Sequence, residues 1–218
     1  MFEAAIFDWD GTLADTRKVI VVSFQQALKE INLEVSTQFI ERRIGIGASE
    51  TFREILLTAN RQVDEKIVTR LVERKSKVQI ELASEVRMFD GARELLEALR
   101  DKVKIGLASM NNRDVILNLL QANSLADFFN VVFTVEEISH SKPNPEIFLR
   151  TARQLKVNPR ACVVFEDSIF GVKAAKSAGM GCIAVTTGVY KEEELKIERP
   201  DLVVESLKNL QILPFVLE

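Results

Sequence analysis

The sequence contains very little histidine and cysteine, which excludes several kinds of catalytic and structural site. His140 is the single histidine among 218 residues, so nothing supports a Ser-His-Asp triad. Cys162 and Cys182 each stand alone inside an apolar run, and both are expected to be buried thiols rather than metal or redox groups. Two unpaired thiols suit a reducing compartment, so the expected location is the cytoplasm.

The sequence also lacks a charge excess and a long apolar segment. The formal net charge is −3, from 29 basic and 32 acidic residues, whereas a nucleic-acid-binding protein is usually basic on one face. No apolar run approaches the length of a membrane span. Met1 leads almost directly into AAIFDWDGT without a basic stretch, so no signal peptide is expected. Neither nucleic acid nor a membrane is therefore an expected partner.

Six short apolar runs are typical of buried strands, and helical patterns lie between most of them. The strands are predicted at residues 3–7, 103–109, 131–134, 161–165, 181–185 and 201–204. Apolar residues at three and four spacing predict helices at 91–100, 114–123, 145–155 and 170–179. The alternation predicts the α/β class, with a Rossmann-like parallel sheet flanked by helices.

The segment between Thr16 and Glu85 interrupts this alternation. Helices are predicted at 19–31, 51–59 and 63–83, although the VIVV start of the first also fits a strand. No convincing strand pattern occurs in the segment. We therefore expect an inserted all-helical domain at residues 16–85, on a core formed by residues 1–15 and 86–218.

Two aspartates follow the first predicted strand in the segment IFDWDGTLADT. Asp8 and Asp10 therefore lie at the carboxyl end of a strand, where parallel sheets place their ligands. Two such carboxylates can divide nucleophilic attack and proton transfer, and their mutual repulsion suggests a hard cation. Gly11 allows a tight turn, and Thr12 offers a hydroxyl and an amide. Short D-x-D strings also occur in ordinary turns, so this segment alone is a weak signal.

Further polar residues occur at the ends of later strands. Ser109 ends the strand VKIGLAS, Lys142 opens the string KPNPEIF, and Glu166 and Asp167 follow ACVVF. If the acceptor of the nucleophilic attack is a phosphoryl group, Lys142 would place a compact positive charge beside it. Ser109 and the amides after it would hold phosphate oxygens at a helix N-terminus. The alternatives are a solvated loop lysine, an N-cap serine and an acidic pair that complements a helix dipole.

These segments, taken together, resemble the haloacid dehalogenase superfamily, whose first motif reads D-x-D-G-T/V after a buried strand. The motifs occur in order over nearly the whole chain outside the insert. The resemblance implies an Mg²⁺-dependent phosphatase in which Asp8 is the covalent nucleophile and Asp10 the acid and base. It also implies that Mg²⁺ is held by the side chains of Asp8 and Asp167, by the carbonyl of Asp10, and by Glu166 directly or through water.

The same resemblance implies which residues meet the substrate. Ser109 and Lys142 would be catalytic, and substrate would be bound by Gly11, Thr12, Ser109, Met110, Asn111 and Lys142. The helical insert looks like the cap that many of these enzymes carry, with GIGASE (45–50) where relatives place substrate-facing groups. Three arginines, Arg42, Arg43 and Arg53, could also meet an anionic substrate, although an arginine in such a position is more often a solvated helix residue.

The resemblance is to phosphoglycolate phosphatases and beta-phosphoglucomutases in particular. Asp10 argues against the dehalogenases, which lack a second aspartate, and against the phosphonatases, which carry alanine there. The mutases usually have a basic residue in the cap stretch that corresponds to GIGASE and a histidine in the first cap helix, and this chain has neither. We expect a phosphatase that hydrolyses a small phosphate ester, phosphoglycolate or a sugar phosphate, as a monomer or homodimer. The alternatives are a phosphomutase and a catalytically idle binding module.

Overall fold

The computed structural model describes residues 1–218 and contains one large and one very small sheet. The eight strands are β1 (Ala4–Phe7), β2 (Ala14–Asp15), β3 (Arg87–Met88), β4 (Lys104–Ala108), β5 (Val131–Phe133), β6 (Cys162–Glu166), β7 (Gly181–Val185) and β8 (Leu202–Val204). Six of them form a parallel sheet in the order β5-β4-β1-β6-β7-β8. These six are the strands predicted from the sequence, each within one residue at either end, which confirms the α/β class.

Ten helices surround the sheet or lie in the segment before β3. They are α1 (Arg17–Lys29), α2 (Thr37–Glu41), α3 (Ala48–Thr58), α4 (Glu65–Glu81), α5 (Ala92–Leu99), α6 (Arg113–Ala122), α7 (Glu146–Leu155), α8 (Ile169–Ser177), α9 (Glu192–Ile197) and α10 (Ile212–Leu217). The ambiguous VIVV segment is helical, inside α1. The helices α2, α9 and α10 were not predicted, because five or six residues are too few for a clear period. None of the helices combines the length and apolar character needed to cross a bilayer.

The central strand β1 is buried on both faces, which fixes the position of the residues that follow it. Ala4 and Ile6 pack into one apolar cluster, and Ala5 and Phe7 pack into another on the opposite face of the sheet. Phe7 stacks on Phe165 of the neighbouring strand, with ring centroids 4.3 Å apart. Because β1 lies between β4 and β6, the residues after these three strands meet at one edge of the sheet.

The helices α1 to α4 enclose an apolar cluster of their own. Its 13 buried residues all lie between Ile20 and Leu71, with Phe24 and Phe52 in contact at 4.7 Å. The chain enters and leaves this helical segment next to the antiparallel pair β2–β3, where Ala14 faces Met88. The two-residue strands were not predicted, because so short a pair has no sequence period. These features support the proposal that residues 16–85 form a cap on a core of residues 1–15 and 86–218.

Candidate active site

Polar side chains from three neighbouring strands meet at the carboxyl edge of the large sheet. Asp8 follows β1, Ser109 follows β4, and Glu166 and Asp167 lie at the end of β6. All four are at least 97% buried. Asp8, Glu166 and Asp167 each have a carboxylate oxygen within 4.8 Å of the others. The end-of-strand positions read from the sequence are therefore brought together in space.

Lys142 lies at the centre of this acidic group. Its Nζ donates to Asp8 Oδ1 at 2.7 Å and to Glu166 Oε1 at 2.6 Å, and the Ala108 carbonyl is 3.4 Å away. The side chain is fully buried, so the ammonium is neutralised by the two carboxylates rather than by water. The solvated loop position that the sequence left open does not apply to this lysine.

Both oxygens of Glu166 have hydrogen-bond partners. Oε1 accepts from Lys142, and Oε2 accepts from the backbone N–H of Asp167 and from the N–H and Oγ of Ser168, each at 3.0 Å. These bonds orient the carboxylate towards the lysine. The predicted role of Glu166 as a metal ligand remains a prediction, and its present contacts are those of a residue that positions Lys142.

Asp167 is held in place by the turn that follows β1. Thr12 Oγ1 donates to Asp167 Oδ1 at 3.1 Å. Gly11 has φ +85°, and a Cβ added there would overlap the Asp167 carboxylate, as would one at Gly188. Gly11 and Thr12, predicted to bind substrate, thus contact a predicted metal ligand. Gly188 carried no recognisable sequence signal, because its importance comes from a close approach between segments far apart in the chain.

The loop after β4 places Ser109, Met110 and Asn111 beside the aspartates. Ser109 Oγ accepts from the Asn111 N–H at 3.1 Å, and the Ser109 N–H donates to the Phe133 carbonyl at 3.0 Å. Helix α6 begins directly afterwards, with Asn112 as its N-cap. The predicted arrangement of a serine followed by amides at a helix N-terminus is therefore present.

A residue of the helical segment that sequence reasoning missed reaches this loop. Lys75 of α4 is only 4% exposed, and its Nζ donates to Asn111 Oδ1 at 3.1 Å. Asn111 Nδ2 in turn lies 3.3 and 3.5 Å from the two oxygens of Asp10. A signal existed in the sequence: Lys75 follows Val68 and Leu71 on the apolar face of α4, where a lysine is out of place.

The charged side chains that are buried in this protein all lie at this one site. There are six: the acids Asp8, Asp10, Glu166 and Asp167 and the bases Lys75 and Lys142. Four carboxylates less two ammonium groups leave two negative charges uncompensated when all are ionised. Buried charges need partners, and oxygen ligands of this kind suit a hard divalent cation. The donor set therefore fits a metal centre.

The pKa values at the site reflect burial and this charge imbalance. Burial raises the pKa of Asp8 well above its ordinary value, against the opposing charge of Lys142. Burial and then the neighbouring Glu166 raise the pKa of Asp167 in the same way. Burial alone would lower the pKa of Lys142, but the charges of Asp8 and Glu166 outweigh it and the pKa is raised. Burial lowers the pKa of Lys75 to about 8, with Asp10 opposing the shift.

A small, partly open cavity lies between the aspartates and the helical segment. Its volume is about 30 Å³, and its walls are Asp8, Asp10, Ile20, Phe24, Arg43, Ile44, Gly45, Ile46, Ala48, Lys75, Met110 and Asn111. Half of these residues are apolar, most of them from the helical segment. Gly45, Ile46 and Ala48 of the GIGASE stretch supply part of this wall, whereas Ser49 does not line it.

The three arginines considered as substrate contacts are paired with glutamates instead. Arg42 binds Glu194 through both NH groups, at 2.6 and 3.2 Å, and Arg53 binds Glu65 at 2.8 Å. Arg43 pairs with Glu54, although it also lines the cavity. His140 is exposed and contacts Glu146, and both cysteines are buried and unpaired, as expected.

The fold is that of an α/β protein whose candidate active site lies at the carboxyl ends of the strands, and comparison with known proteins gives its family. Residues 5–185 match the model of the haloacid dehalogenase-like hydrolases. A phosphorylated carbohydrates phosphatase of Thermotoga maritima is 34% identical over 181 residues, which cover 82% of this chain and 82% of the relative. A beta-phosphoglucomutase of Bacillus subtilis is 31% identical over 193 residues, which cover 85% and 84%. The crystal structure of a beta-phosphoglucomutase from Clostridium difficile has a TM-score of 0.88 at 29% identity, over 99% of this chain and 97% of that one.

The chain therefore belongs to the haloacid dehalogenase-like hydrolase family, and it is an enzyme of the hydrolase class. Its relatives include a phosphatase of phosphorylated carbohydrates and beta-phosphoglucomutases. The family read from the four sequence motifs is confirmed.

Proposed function

We propose that this enzyme is an Mg²⁺-dependent phosphatase that hydrolyses a small phosphorylated metabolite through a phosphoaspartate on Asp8. The observation that carries the proposal is the concentration of all six buried charges around Asp8, with Lys142 bonded directly to it. Burying charge is expensive, and a site that does so is typical of catalysis rather than of stability. A catalytically idle binding module would not need this arrangement.

Asp8 is the nucleophile in this scheme. One carboxylate oxygen attacks phosphorus while the bond from phosphorus to the leaving oxygen breaks, and Asp10 gives that oxygen a proton. Asp10 then takes a proton from the water that hydrolyses the acyl phosphate. Lys142 and the amides after Ser109 stabilise the charge on the phosphoryl oxygens.

The metal would be held by the side chains of Asp8 and Asp167 and by the carbonyl of Asp10. Glu166 is the remaining candidate, directly or through water. When bound, Mg²⁺ would supply positive charge next to the phosphoryl group. Thr12 and Gly11 support this centre through their contacts with Asp167.

A phosphomutase is the second candidate, because beta-phosphoglucomutases are among the relatives. Two positions in the cap wall of the cavity, which also includes Arg43 and Lys75, favour hydrolysis over this alternative. Ile20 of the first cap helix and Ala48 of the GIGASE stretch line the cavity with apolar groups, and neither can bind a second phosphate. Phosphoglycolate or a sugar phosphate is the proposed substrate. The cytoplasm is the proposed location, since both thiols are free, and monomer or homodimer remains a prediction.

Metal-dependent hydrolysis of p-nitrophenyl phosphate tests this proposal, followed by a screen of phosphorylated metabolites. We expect phosphate release with Mg²⁺, none with a chelator, and little with Ca²⁺, whose larger shell disturbs the geometry. Asp8→Asn should lose at least about 10⁴-fold in turnover. Asp101→Asn is the matched control, because Asp101 is exposed and lies before β4, at the opposite edge of the sheet. Full activity in metal-free enzyme or in Asp8→Asn would reject the proposal.

A further inference from the structure

The side chain of Asn111 joins the helical segment to the proposed acid and base. Asn111 is 2% exposed. Its Oδ1 accepts from Lys75 Nζ and from the Asn112 backbone N–H, each at 3.1 Å. Its Nδ2 faces both oxygens of Asp10, at 3.3 and 3.5 Å. Lys75 therefore contacts one end of the amide, and Asp10 contacts the other.

The two contacts set the orientation of the amide. An ammonium group can only donate hydrogen bonds, and an ionised carboxylate can only accept them. The amide oxygen must therefore face Lys75, and the amide nitrogen must face Asp10. Rotating the amide by half a turn would bring its oxygen against the Asp10 carboxylate and its nitrogen against the ammonium. Lys75 thus helps to keep the donating end of Asn111 on Asp10.

We propose that Asn111 is a positioning residue that holds Asp10 in place for proton transfer, and that Lys75 of α4 orients Asn111 for this task. The inference rests on the proposed phosphatase function and extends it to a residue of the cap. The contacts from Nδ2 are long for hydrogen bonds, so Asp10 is guided but free to move towards a leaving oxygen. Asn111 also lines the cavity, so its role as a substrate ligand remains a prediction beside this positioning role.

The residues that follow Lys75 and Asn111 in the chain form a second pair, which provides a matched control. Ser76 follows Lys75 on α4, and its Oγ donates to Asn112 Oδ1 at 2.9 Å. Asn112 Nδ2 binds Glu136 at 2.9 Å. The Ser76–Asn112 pair therefore makes the same kind of link between α4 and the loop, without a contact to Asp10. A purely structural link would show the same effect for both pairs.

The test compares phenyl phosphate with p-nitrophenyl phosphate. The two esters share an aryl ring, but phenol is the weaker acid and its departure needs more help from Asp10. The ratio of kcat/KM for p-nitrophenyl phosphate to kcat/KM for phenyl phosphate reports this help. In Asn111→Ala and in Lys75→Met we expect the ratio to rise roughly tenfold. In Asn112→Ala and Ser76→Ala the ratio should stay at the wild-type value.

The double variant of Lys75→Met and Asn111→Ala decides whether the two residues act in series. Because Lys75 acts through Asn111, we expect the ratio of the double variant to equal that of Asn111→Ala alone. If the increases of the ratio in the two single variants multiply in the double variant, Lys75 does not act through Asn111 and the proposed link between them is overturned. Equal losses on both esters in Asn111→Ala would show a binding or structural role and overturn the proposal. If Asn111→Ala does not fold, Asn111→Ser replaces it in the same comparison.

The same assays distinguish an error in the phosphatase assignment from an error in the role of Asn111. If the wild-type enzyme with Mg²⁺ hydrolyses neither ester, the phosphatase assignment is wrong and this inference is overturned with it. If the wild type hydrolyses both and Asn111→Ala keeps the wild-type ratio, the phosphatase assignment stands and only the role of Asn111 is wrong.

Discussion

Replacing Lys75 with methionine measures how much stability the protein loses by keeping a buried cation between α4 and the loop after β4. Methionine has a similar length and no charge. Burial lowers the pKa of Lys75 to about 8 from 10.5, although Asp10 opposes the shift. The folded state therefore binds this proton more weakly than the unfolded state. Between these two pKa values the unfolded chain holds more protons, so the free energy of unfolding of the wild type rises with pH.

The size of the effect on stability follows from these two pKa values. The fall from 10.5 to about 8 corresponds to a penalty of about 3 kcal/mol near pH 7, which decreases to about 1 kcal/mol near pH 9.5. Lys75→Met removes this penalty but also removes the hydrogen bond to Asn111, which costs about 1 kcal/mol at either pH. We expect the variant to be more stable than wild type by about 2 kcal/mol near pH 7 and nearly equal near pH 9.5.

Urea unfolding of both proteins at the two pH values, in the presence of a chelator, gives these differences. The control is Lys77→Met, because Lys77 lies on the same helix but is exposed. Its difference from wild type should not change with pH. A Lys75→Met difference that is constant with pH, or that grows as pH rises, would refute the reasoning from burial.

Three other substitutions or assays follow from the same contacts. Lys142→Met should lower the free energy of unfolding, measured in urea, by about 3–5 kcal/mol, because two buried carboxylates lose their partner. This change is opposite to the one expected for Lys75→Met, and a stabilised Lys142→Met variant would contradict the charge arrangement. Gly11→Ala should abolish most Mg²⁺ binding in calorimetric titration, because its Cβ would overlap Asp167, whereas Gly179→Ala, also at positive φ but with open space around it, should bind Mg²⁺ normally. With beta-glucose 1-phosphate, any reaction should release inorganic phosphate, and rapid formation of glucose 6-phosphate without that release would favour the mutase.

Much of the fold could be predicted because the parallel strands are buried on both faces. Continuous apolar runs such as AAIF and CVVF therefore indicate these strands, and the polar residues after each run indicate one edge of the sheet. Asp8, Ser109, Glu166 and Asp167 were found in this way. Their meeting in space follows from strand order alone.

The rest of the site depends on contacts between segments far apart in the chain. Lys75 meets Asn111 across 36 residues, and Lys142 meets Asp8 across 134. Nothing local in the sequence shows that Arg42 is paired with Glu194 of α9, a helix too short to predict. The sequence pattern predicts which face of its own helix or strand a residue occupies. The residue that it contacts on another helix or strand is determined by tertiary packing.

The central claim is that Asp8 carries the phosphoryl group and Asp10 assists both its arrival and its removal. The direct test treats Asp10→Ala with acetyl phosphate and Mg²⁺, quenches rapidly, and measures intact mass. Acetyl phosphate has a good leaving group, so it needs little acid help and should still phosphorylate Asp8. We expect one phosphoryl group, labile to hydroxylamine and longer-lived than in wild type, and none in the double variant Asp8→Asn/Asp10→Ala. Equal phosphorylation of the double variant, or wild-type clearance in Asp10→Ala, would contradict the account.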